Sequence, residues 1–385
     1  MLAGGLRAYA FDGRQTFRPE WKEREDRDNL LAAFNILIPE QQPRLTISAF
    51  PDDVVNPSST DLLATRLPLS KLRPIPHVLD PDVHYQLLSK TWLANSGLPI
   101  PRSENIEIPA SVLTNSTTRE AWKTSATIKI TSTTLPFVLK LNQTVFGQGI
   151  YIIRTPSDLK TLLKELPDLL NNSIRVVNSE NQHLQPGALV LSEYIPHTRS
   201  YAITFFVNKD GSHKLLCIAD QVFDNHKNLS WKGAEIDYTR QMSLAALYAE
   251  TVASAAAYLH KNGYYGAAGI DVLDHEENLK QYIVDLNVRP PGSMILGALH
   301  SFLTNRGCKL ARLVSVIRVI IPKKQFYNEL KAEIEKGKII ITAWAEDSRN
   351  KCFWASLVIG ASTGLDFHNL KWKVEEAARL SHGSI

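Results

Sequence analysis

The sequence predicts an α+β protein rich in antiparallel hairpins, and three observations predict it. Runs with period-two alternation recur through the middle of the chain, as in Tyr282–Arg289 before the Pro290-Pro291-Gly292 break. One pair of such runs, Ala267–Asp274 and Tyr282–Arg289, is separated by a polar segment, His275–Lys280, of the kind a hairpin connection uses. Between the recurring runs lie amphipathic stretches with helix caps and glycine stops. At 385 residues, 44 % hydrophobic and 21 % charged, the chain is long enough for two or three domains with cores of their own.

Taken in order, residues 1 to about 80 are rich in proline turns after a charged segment, Trp21–Asn29, and predict a small α/β or irregular lead-in domain. Asp82–Ser96 predicts one helix, with Val83, Leu87, Leu88 and Leu93 as its apolar stripe and Gly97 as its stop. Pro136–Ile153 reads as strand, glycine-bearing turn, strand, and Asp158–Leu170 as a short amphipathic helix. Ala188–Ile195, Tyr201–Asn208 and Leu215–Val222 are strands, and Gln241–Asn262 is one long alanine-rich helix stopped by Gly263. The hairpin of Ala267–Asp274 with Tyr282–Arg289 follows. A helix near Leu303–Val319, strands at Lys338–Ala345 and Phe353–Ile359, and a helix at Phe367–Leu380 complete the prediction.

The formal net charge of +4 and pI near 8.8 are mildly basic, but Lys and Arg are spread rather than clustered, which argues against a nucleic-acid partner. Cys217, Cys308 and Cys352 show no zinc-site spacing and read as buried thiols in a reducing compartment. The start lacks a signal-peptide core, and the most apolar later run is interrupted by Arg312 and Arg318, so no membrane partner and a cytoplasmic location are expected.

The carboxylates of the late hairpin are its chemical feature. Asp271 lies seven residues before Asn278 and Asp285 seven after it, so antiparallel pairing would set them side by side. Two unpaired anions in that position are costly. Either a hard divalent ion, most simply Mg2+, sits between them with Asn287 as a third ligand, or Arg289 completes an Asp–Arg–Asp network at a sheet edge. Lys140 before the turn at Asn142–Gly149 suits an anion-binding loop, or an ordinary flexible one. Glu193, ending an apolar strand, would hold a ribose or face water, and Lys90 taken alone is a surface lysine.

The order of these pieces is more telling than any one of them. A helix carrying Lys90 precedes Gly97-Leu98-Pro99-Ile100-Pro101. Lys140 precedes a G-x-G hairpin, Glu193-Tyr194-Ile195 precedes Arg199, and Asp271 precedes Asp285-x-Asn287-x-Arg289. Over about residues 85 to 300 this order resembles the ATP-grasp superfamily of carboxylate-activating ligases. The resemblance implies an ATP-grasp fold in which two α+β lobes grip ATP. Residues 1–84 would form an N-terminal pre-grasp-like domain and 85–200 the first lobe with its glycine loop. Residues 201–385 would form the second lobe with the metal site and a C-terminal α/β extension. It further implies that Lys90, Lys140 and, more weakly, Lys232 contact phosphates. Gly147, Gln148 and Gly149 would belong to the loop over them, and Glu193, Tyr194 and Ile195 would hold the adenosine. Asp271, Asp285 and Asn287 would carry one or two Mg2+ ions, with Mn2+ an alternative. Arg289 with Lys140 would serve catalysis, and Arg199, Arg289, Gly292 and Ser293 would face the substrate. Asp285 stands where many members have Glu, and Thr144, Val145, Phe146 and Gln148 occupy loop positions that are often small. The implied activity joins a carboxylate to an amine through an acyl phosphate, with an amino acid or peptide among the candidate substrates and a homodimer as a compatible assembly. A small-molecule kinase and a non-catalytic nucleotide-binding regulatory module are the rivals.

Overall fold

Strand pairing organises the molecule, because the alternating runs bury one face and must find neighbours for their backbone groups. The computed structural model describes residues 7–11, 44–48, 62–143, 149–224, 230–347 and 350–379. Strands β1 (Arg7–Phe11) and β2 (Arg44–Ser48) pair in parallel. Strands β3 (Ser103–Ile106), β4 (Phe137–Leu141), β5 (Ile150–Ile153) and β6 (Leu189–Glu193) form an antiparallel sheet in the order β3-β6-β4-β5. The helices Ser116–Ser132 and Pro156–Arg175 pack on it through Trp122, Ile130, Leu162 and Leu166. The second of these opens with a capping box, in which Thr155 and Asp158 satisfy each other's backbone N–H groups.

The larger sheet is antiparallel throughout its eight strands. These are β7 (His197–Val207), β8 (His213–Asp224), β9 (Ser230–Asp237), β10 (Gly266–His275), β11 (Gln281–Asn287), β12 (Leu310–Val319), β13 (Ile339–Asp347) and β14 (Cys352–Ala361). Their spatial order is β11-β10-β7-β8-β9-β12-β14-β13. The helix Ala249–Lys261 covers one face at β7 and β10, burying Val252, Ala256 and Leu259 against Ile203, Phe205 and Ile270. The closing helix Gly364–Ala378 does the same for β12 and β14. The three cysteines are buried free thiols. Among the described residues no single helix is long and apolar enough to cross a membrane.

Three predicted helices differ. Asp82–Ser96 is two helices, Pro81–Leu87 and Lys90–Ala94, because Ser89 turns extended and its hydroxyl accepts from the Trp92 N–H, starting a new helix at Lys90. Gln241–Asn262 breaks at Tyr248 into Gln241–Leu247 and Ala249–Lys261. The stretch near Leu303–Val319 is helical only as far as Thr304, after which Leu310–Val319 is strand β12. Its β-branched residues are caught between β9 and β14, while Arg312 leaves the core to meet Glu235 at 3.0 Å.

Candidate active site

A cavity of about 330 Å³ lies between the two sheets, and residues from both line it. Its acidic wall comes from the β10–β11 hairpin. Asp271 and Asp285 are direct partners in the antiparallel register, and a bulge follows at once, with Val272 paired to Ile283 rather than Val284. The bulge corrects the simple alternation of this stretch. Ile283, Leu286 and Val288 face the core, whereas Val284, Asp285, Asn287 and Arg289 line the cavity with Asp271. Both candidate ligand carboxylates and the Asn287 amide thus converge on one space.

Burial and the neighbouring Asp285 charge push the Asp271 carboxyl up to about 7, while a Gln221 hydrogen bond pulls the other way. Asp285 is also penalised by burial, but the Lys90 ammonium more than offsets this and holds its carboxyl below the usual range. Lys90 is therefore not a surface lysine: it is 4 % exposed and ion-paired to Asp285. Asn142, fully buried at the end of β4, positions it. The Lys90 N–H donates to the Asn142 carbonyl at 2.8 Å, and the Thr91 N–H donates to Asn142 Oδ1 at 3.0 Å. One Lys90 charge faces two carboxylates.

Lys140 projects from β4 into the cavity, its Nζ 3.4 Å from the Val284 carbonyl. Burial, together with the Lys90 charge, lowers its pKa to about 8 despite the nearby Asp285. Arg289 is half-buried at the end of the acidic hairpin. Burial and the Arg66 charge lower its pKa, opposed by Asp285 and Asp271. Neither guanidinium has an ion-pair partner among the described residues.

On another wall, Glu193, Tyr194 and Ile195 line the cavity beside Val138, Ile150 and Ile152. The Arg154 guanidinium lies 5.2 Å over the Tyr194 ring. Glu193 is held in place through its N–H, which donates to the Arg102 carbonyl at 2.8 Å. Gly292 and Ser293 also line the cavity, and the buried Ser293 hydroxyl meets Thr204 Oγ1 at 3.1 Å. Gly149 precedes β5 with φ +78°, a backbone that favours glycine. Gly147 and Gln148 lie outside the described residues.

Two predicted residues stand elsewhere. Arg199 is exposed and does not line the cavity; its Nη1 donates to the Tyr201 hydroxyl at 2.7 Å, in a cluster with Arg240. Lys232 is exposed and absent from the cavity wall, because it is the extra residue of a bulge in β9 where Val222 pairs with Gly233 and Phe223 with Trp231. The sequence reading missed Arg66, Gln221, Phe223 and Trp231, all of which line the cavity. Trp231 and Gln221 sit on strands whose alternation was visible for β8 alone, and no pattern in the sequence singles out Arg66.

The ATP-grasp domain model matches residues 88–293, more than half of the chain, and the protein belongs to that family. Among solved structures, an N5-carboxyaminoimidazole ribonucleotide synthetase in complex with ADP is similar over 97 % of this chain and 92 % of its own, at 11 % identity and a TM-score of 0.52. The biotin carboxylase domain of the Hydrogenobacter thermophilus 2-oxoglutarate carboxylase, crystallised with MgADP, ADP and bicarbonate, is 15 % identical. It covers 80 % of this chain and 69 % of its own, with a TM-score of 0.48. Comparison with curated protein sequences returns no match. The α+β fold is thus that of the ATP-grasp family.

Proposed function

We propose that this protein is an ATP-dependent ligase that activates a carboxylate as an acyl phosphate and joins it to an amine, releasing ADP and phosphate. In this reading residues 85–200 and 201–385 are the gripping lobes, and 1–84 is a pre-grasp-like domain. The observation that carries it is the half-buried Asp271–Asp285 pair facing the same cavity as Asn287, Arg289 and Lys140. Two carboxylates with one amide oxygen, short of a full shell, suit Mg2+, which takes its remaining ligands from phosphate and water. Lys90 is the only cation in direct ion-pair contact with the two carboxylates among the described residues, which leaves their other oxygens for a metal. Bound there, Mg2+ would neutralise phosphate charge.

The rest is the work of the chain's own groups. A carboxylate approaching the γ-phosphate meets repulsion of about 4 kcal/mol per pair of unit charges at ~4 Å and an effective dielectric of ~20. Arg289 and Lys140 offset it from fixed positions, which need no reorganisation as charge shifts onto the transferred group. Val138, Ile150, Ile152 and Ile195 form an apolar slot that suits a purine, with Glu193 beside it for ribose hydroxyls. That the N5-carboxyaminoimidazole ribonucleotide synthetase neighbour forms a complex with ADP supports this nucleotide.

The test is ADP release with MgATP across pooled carboxylic acids, with hydroxylamine as the nucleophile. ADP together with a hydroxamate is expected, and Asp285→Ala should abolish both while the variant stays folded. A phosphorylated product without hydroxamate would replace the ligase reading with a kinase one.

A further inference from the structure

The wall of the cavity formed by β8, β9 and the turn after Arg289 is aromatic. Phe223 and Trp231 face each other directly across the β8–β9 register. The bulge at Lys232 sets this pairing, and Gly233 allows it: a side chain there would meet the Leu313 carbonyl at 1.8 Å. The benzo edge of the indole approaches the turn closely, so that a Cβ at Gly292 would come within 2.9 Å of Trp231 Cη2. Both rings are only partly buried and both border the cavity. Aromatics that served the core alone would have no face on that space.

Arg66 reaches the same cavity from outside the span matched by the family model. Its segment is pinned by the Leu63 N–H to the Pro76 carbonyl at 2.8 Å and the Val78 N–H to the Leu63 carbonyl at 2.9 Å. Arg66 and Arg289 therefore share one space; Asp271 and Asp285 act on Arg289 from the acidic wall, but no carboxylate forms an ion pair with either guanidinium among the described residues. Like charges so placed call for an anion between them, and guanidinium forks suit a carboxylate.

We propose that this wall is the acyl-substrate subsite and takes a carboxylic acid with an aromatic or similarly flat apolar body, its ring on Trp231 and Phe223 and its carboxylate held by Arg66 and Arg289. Calling the ligand the acyl substrate rests on the ligase reading; the subsite stands or falls by binding alone. Arg66 is then a specificity-determining residue supplied by the N-terminal segment.

The experiment is saturation-transfer NMR on the MgADP-loaded protein, with 3-phenylpropanoate and butanoate as probes. 3-Phenylpropanoate should bind at least about tenfold more tightly than butanoate. Trp231→Leu and Arg66→Met should each lose about tenfold in 3-phenylpropanoate affinity while MgADP affinity, the control for folding, stays within about twofold. If Trp231→Leu also loses MgADP, Phe223→Leu takes its place. Equal binding of the two acids, or variants that keep full 3-phenylpropanoate affinity, would overturn the subsite. Hydroxamate formed only from small aliphatic acids would overturn it and leave the ligase reading intact. Selective binding of 3-phenylpropanoate, lost in the variants and unaccompanied by hydroxamate from any acid, would uphold the subsite and sink the ligase reading.

Discussion

Asp271→Asn removes one charge from the acidic pair and keeps the shape of the side chain, so it isolates what that charge costs the fold. The Asp271 carboxyl is raised from its ordinary 3.8 to about 7 by burial and by Asp285. Between those values the folded state holds a proton that the unfolded state has released, so stability falls as pH rises from about 4 to about 7. From pH 5 to pH 8 the loss integrates to about 2–3 kcal/mol at 1.36 kcal/mol per pKa unit. The carboxylate borders a water-accessible cavity, and screening there reduces the expected figure to about 1–2 kcal/mol. In metal-free urea titrations, Asp271→Asn should therefore gain on the parent by that amount between pH 5 and pH 8. Mg2+ added at pH 8 should stabilise the parent and leave the variant unchanged, because the variant lacks half of the carboxylate pair. A gain equal at the two pH values, or equal stabilisation of both proteins by Mg2+, would refute the argument that Asp271 is a half-buried charge suited to a cation.

Three further outcomes follow from the same geometry. Arg289→Ala should lower kcat by about 100-fold or more with nucleotide affinity changed less than about threefold, and equal losses in both would remove its role in the transition state. Lys140, its pKa lowered to about 8 by burial and by Lys90, loses its proton as pH rises past that value. Metal-free ADP should accordingly bind more weakly at pH 9 than at pH 7, and calorimetry should find a smaller drop in Lys140→Met. Gly233→Ala drives a methyl group into the Leu313 carbonyl at a backbone φ of +150°, and should destabilise the fold by about 2–3 kcal/mol in urea unfolding.

Legibility in the sequence followed the range of the interaction. The β10–β11 hairpin was readable because its two strands are sequence neighbours, so counting outward from Asn278 gave the register that brings Asp271 to Asp285. The bulge at Val284 was not, since nothing local distinguishes it from regular alternation; it follows from the need to bury Ile283 on the far side. Lys90 misled for a related reason. Its partner Asp285 and its anchor Asn142 are distant in sequence, so its pattern alone is that of a surface lysine. The apolar residues of Leu310–Val319 fit a helical period as well as a strand one, and the partners that decide, β9 and β14, come from separate parts of the chain.

The same reasoning explains where chemistry and specificity part company in this molecule. Apart from Lys90, which opens a helix, the residues proposed for phosphate, metal and adenosine lie on hairpins and strand ends whose motifs are short and ordered, and their spacing betrays them. Phe223, Trp231 and Arg66 carry no motif, because what they require is only a flat surface and a charge at the right place. A bulge, a glycine that lets two strands close up, and a pinned segment outside the family match each supply one of these. In the proposed reading, exchanging such residues would change which acid fits without touching the groups assigned to phosphoryl transfer, so a change of substrate in this protein should map to that wall and not to the acidic hairpin.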